Sequence, residues 1–223
     1  MRKSPQHFRS PIYVSTSLAI LIAVAPYTRL AYLFYRVLSA LGMHRDLWQI
    51  TWLFDEIVQI SLLVAIVLVI ERRPLASAGV RAPGLMDLVW GIAAFAIISL
   101  GSELWSFAIP LSQGAHSQVA EWTSQWASQS QAWRITLVVS ASIFEEFYFR
   151  GYLIERGEEI TGSVLVSIAV ATALNLYIHS TYWNASYVAP IAFNQFALAL
   201  LYLWRRSVAT CIVTHFLLDA AFV

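Results

Sequence analysis

The chain has 223 residues, of which 59% are hydrophobic and 12% charged, with 14 Lys and Arg against 13 Asp and Glu. So apolar a composition, with a mean hydropathy of +0.64, excludes an ordinary soluble domain, and a net charge of +1 excludes the concentrated basic face that a nucleic-acid partner would need. The single cysteine, Cys211, excludes an intrachain disulfide.

Taken in chain order, apolar runs of near-spanning length lie at Ile12–Pro26, Leu53–Ile70, Leu85–Leu104, Ile135–Ile154, Ser163–His179, Val188–Trp204 and Val208–Val223. Backbone groups in hydrocarbon must be paired within their own segment, and no ten-residue alternation recurs, so the runs predict helices and not a barrel. The expected fold is all-α: a polytopic membrane bundle of about seven transmembrane helices with one or two interfacial helices, forming a single integral membrane domain over 1–223. The first run ends in Ala23-Val24-Ala25, which imitates a signal-peptide cleavage site; it is read as an uncleaved anchor.

Arg2, Lys3, Arg9, Arg72, Arg73, Arg81, Arg156, Arg205 and Arg206 fall in connections on one side of this arrangement. Arg29, Arg36, Arg45 and Arg134 fall on the other. The positive-inside bias places the N-terminus in the cytoplasm and, with an odd number of spans, Val223 outside; a cell (inner) membrane is expected. Between the first two runs, Tyr27 to Leu47 mixes aromatics with arginines seven apart, as in a helix lying in the interface. Between the third and fourth, Ser106 to Trp133 sets Trp122 and Trp126 on one helical face, predicting an interfacial anchor or a lid.

Charges within a membrane span are costly, so the fourth run stands out: it contains Glu145, Glu146 and Arg150. Glu146 and Arg150 are four apart, acid first, and can pair on one helical face; Glu145 projects about 100° away and is free to face a cavity. Adjacent carboxyls in a medium of low dielectric resist joint ionisation, which suits one of them to act as a general base. The alternative is a buried Glu-Arg pair that only fixes helix packing. Later runs supply His179, near the outer end of its span, and His215, with Asp219 one turn further along the same face. A rise of about 1.5 Å per residue puts Glu145, His215 and Asp219 near the midplane, and His179 about a turn beyond.

Glu145-Glu146-x-x-x-Arg150, a histidine closing the next span, and His215-x-x-x-Asp219, in that order on separate helices, resemble the CAAX protease and bacteriocin-processing (CPBP, Abi-type) family of intramembrane glutamic endopeptidases, which includes the type II CAAX prenyl endopeptidase. The family's motifs are E-E-x-x-x-R, F-x-x-x-H and H-x-x-x-N or D; the second departs here, with Asn175 in place of Phe. The likeness covers about 75–223, including the Ala78-Gly79-Val80-Arg81 connector. It implies hydrolysis of a peptide bond in a membrane-anchored or prenylated protein, with no nucleic acid involved and the lipid bilayer as surroundings. Glu145 would be the base on a water also held by His215, His179 and Asp219 would bind the water or the oxyanion, and Glu146, Arg150 and Asn175 would give support. Two histidines and a carboxylate (Glu145, His179 and His215) could ligate zinc, but no H-E-x-x-H pair fixes such a site on one helix, and a mechanism without a cofactor is expected.

Competing readings are a membrane transporter, against which the chain shows no repeated halves, and a non-catalytic immunity or scaffold protein of the same fold, against which Glu145 and His215 are both present. Cys211, one turn before His215, could be a thiol nucleophile but reads better as a small packing residue.

Overall fold

The computed structural model describes residues 9–24, 29–43, 47–181 and 183–221; Arg2, Lys3, Ala25, Pro26, Tyr27, Arg45 and Val223, named above, lie outside them. Among the described residues the regular structure is entirely helical. The apolar runs become α1 (Arg9–Val24), α3 (Leu47–Ile70), α4 (Leu85–Ala108), α6 (Gln131–Glu145), α8 (Val164–Ser180), α9 (Ala185–Arg205) and α10 (Val208–Ala220). Three of them, α3, α4 and α9, are long and apolar enough by composition alone to cross a membrane. Helix α6 continues without a break through a π-helical stretch, Glu146–Leu153, into α7 (Ile154–Thr161); it is here that Glu145, Glu146 and Arg150 interrupt the hydropathy. Large apolar side chains face outward throughout, among them Ile97, Leu100, Phe107, Leu165 and Trp204, as expected where lipid is the solvent. The chain is an integral membrane protein.

The helix predicted between Tyr27 and Leu47 is α2 (Arg29–Ala40). It exposes Tyr32, Leu33, Tyr35 and Val37 and is joined to α3 by the stacking of Phe34 on Phe54, with centroids 4.1 Å apart. The next helix, α3, begins six residues before the predicted Leu53, because Gln49 and Thr51, which lower the local hydropathy, are buried against neighbours. The Ser106–Trp133 segment holds α5 (Gln113–Ala127), capped by the Ser112 hydroxyl accepting from the Ala115 amide. An anchor embedded only in the interface would leave its tryptophans outward, but Trp126 is buried against Leu137 and Val138 of α6, with Trp52 and Phe216 beside it. Helix α5 therefore covers one end of the bundle.

The opposite end is closed by ions. Arg156 is fully buried and bonds Glu71 through Nε (2.8 Å) and Nη2 (2.7 Å), while its Nη1 and Nη2 reach the carbonyl and hydroxyl of Ser77. Ser15 of α1 and Tyr152 both donate to the other oxygen of Glu71 at 2.8 Å, so α1 and the helix carrying Tyr152 and Arg156 are tied to one carboxylate. Around this core Arg73 meets Glu159, Arg206 meets Glu155 and Glu158, and Arg81 donates to the carbonyl of Arg205. Arg73, Arg81, Arg156, Arg205 and Arg206, assigned to one side by sequence, thus gather at one end. Removing one partner from a buried pair leaves a charge uncompensated, at a cost of about 3–5 kcal/mol. Arg156→Met is accordingly expected to lower the melting temperature in detergent, and Arg156→Met with Glu71→Met to recover part of the loss; an unchanged melting temperature in the single variant would show that the pair stabilises nothing.

Two close approaches position the half of the chain that carries the motif residues. A Cβ on Gly151, in the π stretch, would lie 2.4 Å from the Ala78 carbonyl oxygen, and one on Gly91 of α4 would lie 2.5 Å from a Val213 methyl on α10. At the second crossing Thr214 donates to the Gly91 carbonyl at 3.1 Å, while Ser207 and Thr210 donate to Asp87 at 2.7 and 2.6 Å. These bonds fix α10, and with it His215, against α4.

Candidate active site

The site is assembled where the π stretch meets α8, α9 and α10. Insertions of π geometry inside α-helices commonly mark functional positions, and here the change begins between the two adjacent glutamates. Glu146 is wholly buried, and one of its oxygens, Oε1, receives two donors: Nη1 of Arg150 at 2.8 Å and Nδ1 of His215 at 2.7 Å. Arg150 is satisfied further by Gln195 of α9, donating both to its backbone carbonyl at 3.1 Å and to its side-chain oxygen. The predicted i,i+4 pair is present, but it is part of a chain of contacts that continues into α10. The imidazole of His215 then meets Asp219, Nε2 to Oδ2, at 3.3 Å. Asp219 is 44% exposed, so this is the looser of the two histidine contacts.

Glu145 occupies a different setting. It is half-buried, and its Oε2 accepts from Nδ2 of Asn175 on α8 at 3.0 Å. Asn175 is buried, and its backbone carbonyl lies 3.0 Å from Nδ1 of His179, one turn along. The adjacent glutamates of one helix therefore enter two groups, one shared with α8 and the other with α10. Glu146, Arg150, His215 and Asp219 make one, and Glu145, Asn175 and His179 the other. The sequence reading paired Glu145 with His215 and gave Glu146 to Arg150 alone. In the fold Glu146 makes the direct bond to His215, because a carboxylate in the center of the bundle can accept from two helices at once. Helical spacing within one segment carries no information on that second bond.

Two polar atoms of the site, Oε2 of Glu146 and Oδ1 of Asn175, are buried without a partner in the protein. Buried acceptors normally hold a donor, so both are positions at which a water or a substrate amide can be bound. Cys211 is fully buried and directs its sulfur toward the Leu198 carbonyl, as a packing residue does. Among the described residues no three His, Cys, Asp or Glu side chains are grouped as metal ligands, and both ring nitrogens of His215 already face carboxylates.

Gln195 and Glu56 were not singled out from sequence. Gln195 carried a usable signal, a polar amide within an apolar span, the kind of residue that marks a site by default. Glu56, buried on α3 with Asp55 beside it, carried the same signal more strongly.

Fold and side chains together define a helical membrane protein with a buried carboxylate and imidazole site. Residues 127–221, which contain every motif residue named above, match the family model of the type II CAAX prenyl endopeptidase Rce1-like proteins. This match agrees with the resemblance carried by the motifs and is confined to this part of the chain. No curated protein and no solved structure matches the chain.

Proposed function

We propose that the protein is an intramembrane endopeptidase that cleaves a membrane-anchored or prenylated protein, with Glu145 as general base. The observation that carries this reading is that two consecutive glutamates join different groups, Glu145 with Asn175 and Glu146 with His215 and Asp219, with unpartnered acceptors on Asn175 and Glu146. One oxygen of Glu145 is held by Asn175, leaving the other to take a proton from water. As that proton leaves, the water oxygen bonds the scissile carbonyl carbon and negative charge builds on the carbonyl oxygen. His215 is oriented by Glu146 and only loosely held by Asp219, so its Nε2 can turn to donate to that oxygen. Collapse of the adduct breaks the C–N bond, and Glu145 returns its proton to the leaving nitrogen. Arg150 and Gln195 keep Glu146 in place, and His179 bounds the Asn175 side.

The basic end of the bundle is closed by the Arg156–Glu71 network, and a shallow polar depression lined by Ser117, Gln118, Glu121, Ser180, Thr181 and Trp183 lies between α5 and the turn after α8. On the positive-inside rule the basic end is cytoplasmic.

Mass spectrometry of membrane-protein termini from cells holding the wild-type protein, and from cells holding Glu145→Ala, tests the reading. Termini that vanish in the variant are expected, and a farnesylated CAAX peptide should be cut by purified wild-type protein. Identical sets of termini together with an intact peptide would defeat the peptidase reading and favour a non-catalytic role.

A further inference from the structure

Helix α5 is held to the rest of the protein along two unlike edges. On one, Trp126 is buried against Leu137 and Val138 of α6, with the Trp122 ring beside it at 4.7 Å. The other edge faces the turn between α8 and α9. There the Ser112 and Ser186 hydroxyls share a hydrogen bond of 2.7 Å, and the Ser112 amide donates to the Ser186 hydroxyl at 3.3 Å. The Asn184 amide donates to Oε1 of Gln118 at 2.6 Å, and Trp122 meets Trp183 edge-on at 5.4 Å. All of these hydrogen bonds are exposed. Of the α5 side chains only Ala115 and Trp126 are buried.

The two edges differ in what it takes to part them. Water replaces an exposed hydrogen bond with little net loss, and uncovering the methyl group of Ala115 is a small change, whereas pulling Trp126 from its cluster exposes a whole indole. Short connectors, 109–112 to α4 and 128–130 to α6, keep α5 tethered at both ends while the weaker edge opens. Behind that edge lies the end of α8. The Trp183 amide donates to the His179 carbonyl at 2.9 Å, Nδ1 of His179 to the Asn175 carbonyl at 3.0 Å, and Nδ2 of Asn175 to Glu145 at 3.0 Å. Hydrogen bonds thus run from the seam to the carboxylate. We propose that this seam is the gate of the site: α5 rocks on Trp126, parts from the α8–α9 turn, and admits the substrate segment to the Asn175 side of Glu145. The proposal rests on the peptidase reading and names where its substrate enters. Reclosure shields the reacting groups from bulk water.

Ser112→Cys with Ser186→Cys places two thiols where the hydroxyls now touch, and the chain's own Cys211 is buried away from them. With a farnesylated CAAX peptide as probe, the reduced double variant is expected to stay within about twofold of wild type. Its oxidised form should lose about tenfold or more in kcat/KM, regain it with dithiothreitol, and melt no lower than the reduced form. A long, flexible bis-maleimide across the same two thiols lets the seam part, so that preparation should keep the activity of the reduced protein. The gate is overturned if the oxidised form, its cystine shown complete by mass spectrometry, keeps more than about a tenth of the reduced activity. Equal losses with the short and the long linkage also overturn it and leave α5 a fixed cover. So does failure of the cystine to form, since the seam is then not closed as described. A wild-type protein that leaves the peptide intact brings down the peptidase reading and the gate together, whereas an active wild type with an unaffected oxidised variant brings down the gate alone.

Discussion

Glu145→Gln is expected to lower kcat by about 10²–10⁴, the range that a positioned general base supplies. Glutamine can still accept from Asn175 Nδ2, so the link from α6 to α8 survives and KM should stay within a few-fold of wild type. Stability should be unchanged or slightly higher, since a half-buried carboxylate is a costly group that a site keeps for its chemistry. An equal fall in kcat and kcat/KM would mark the lost interaction as one made only in the transition state. Turnover on one detergent preparation, with a melting curve on the same sample, measures all three quantities. Retention of a tenth or more of wild-type kcat, with contaminating proteases excluded, would remove Glu145 from the role of base.

The parts of this molecule that were legible in sequence are those that depend on one segment at a time. Hydropathy marked each apolar helix because lipid imposes the same demand along a whole span. The four-residue spacings of Glu146 with Arg150 and of His215 with Asp219 gave real contacts, since helical geometry brings such pairs together wherever the helix lies. The gathering of Arg73, Arg81, Arg156 and Arg206 at one end followed from counting spans.

Contacts between segments were not legible. The bond from Glu146 to His215 spans 69 positions, and it depends on how α10 is rotated against α6, which Gly91, Thr214 and Asp87 decide at a different helix crossing. Burial of Trp126 of α5 against α6 was missed for a related reason: a tryptophan looks the same in sequence whether it meets headgroups or a neighbouring helix. The π stretch has no residue pattern of its own. Gly151 shows only afterwards why the backbone runs so close to Ala78.

Glu146→Ala is expected to be the most damaging single change in the site, because it strips an acceptor from two buried groups. Arg150 keeps only its bonds to Gln195, and Nδ1 of His215 loses its partner. Breaking a buried pair by removing one member costs about 3–5 kcal/mol. For a chain of this size, at about 2–4 °C per kcal/mol, the melting temperature should fall on the order of 10 °C. Adding Arg150→Met removes the stranded charge and should restore part of that stability. It cannot restore activity, since nothing then orients the imidazole, and loss of an orienting partner commonly costs such a group much of its function. The double variant is therefore expected to be folded and inactive. Melting curves and turnover on wild type, Glu146→Ala, Arg150→Met and the double variant separate the two duties of Glu146. Were the double variant to regain both stability and turnover, Glu146 would be only the counter-ion of Arg150, and the bond to His215 would have no part in the reaction.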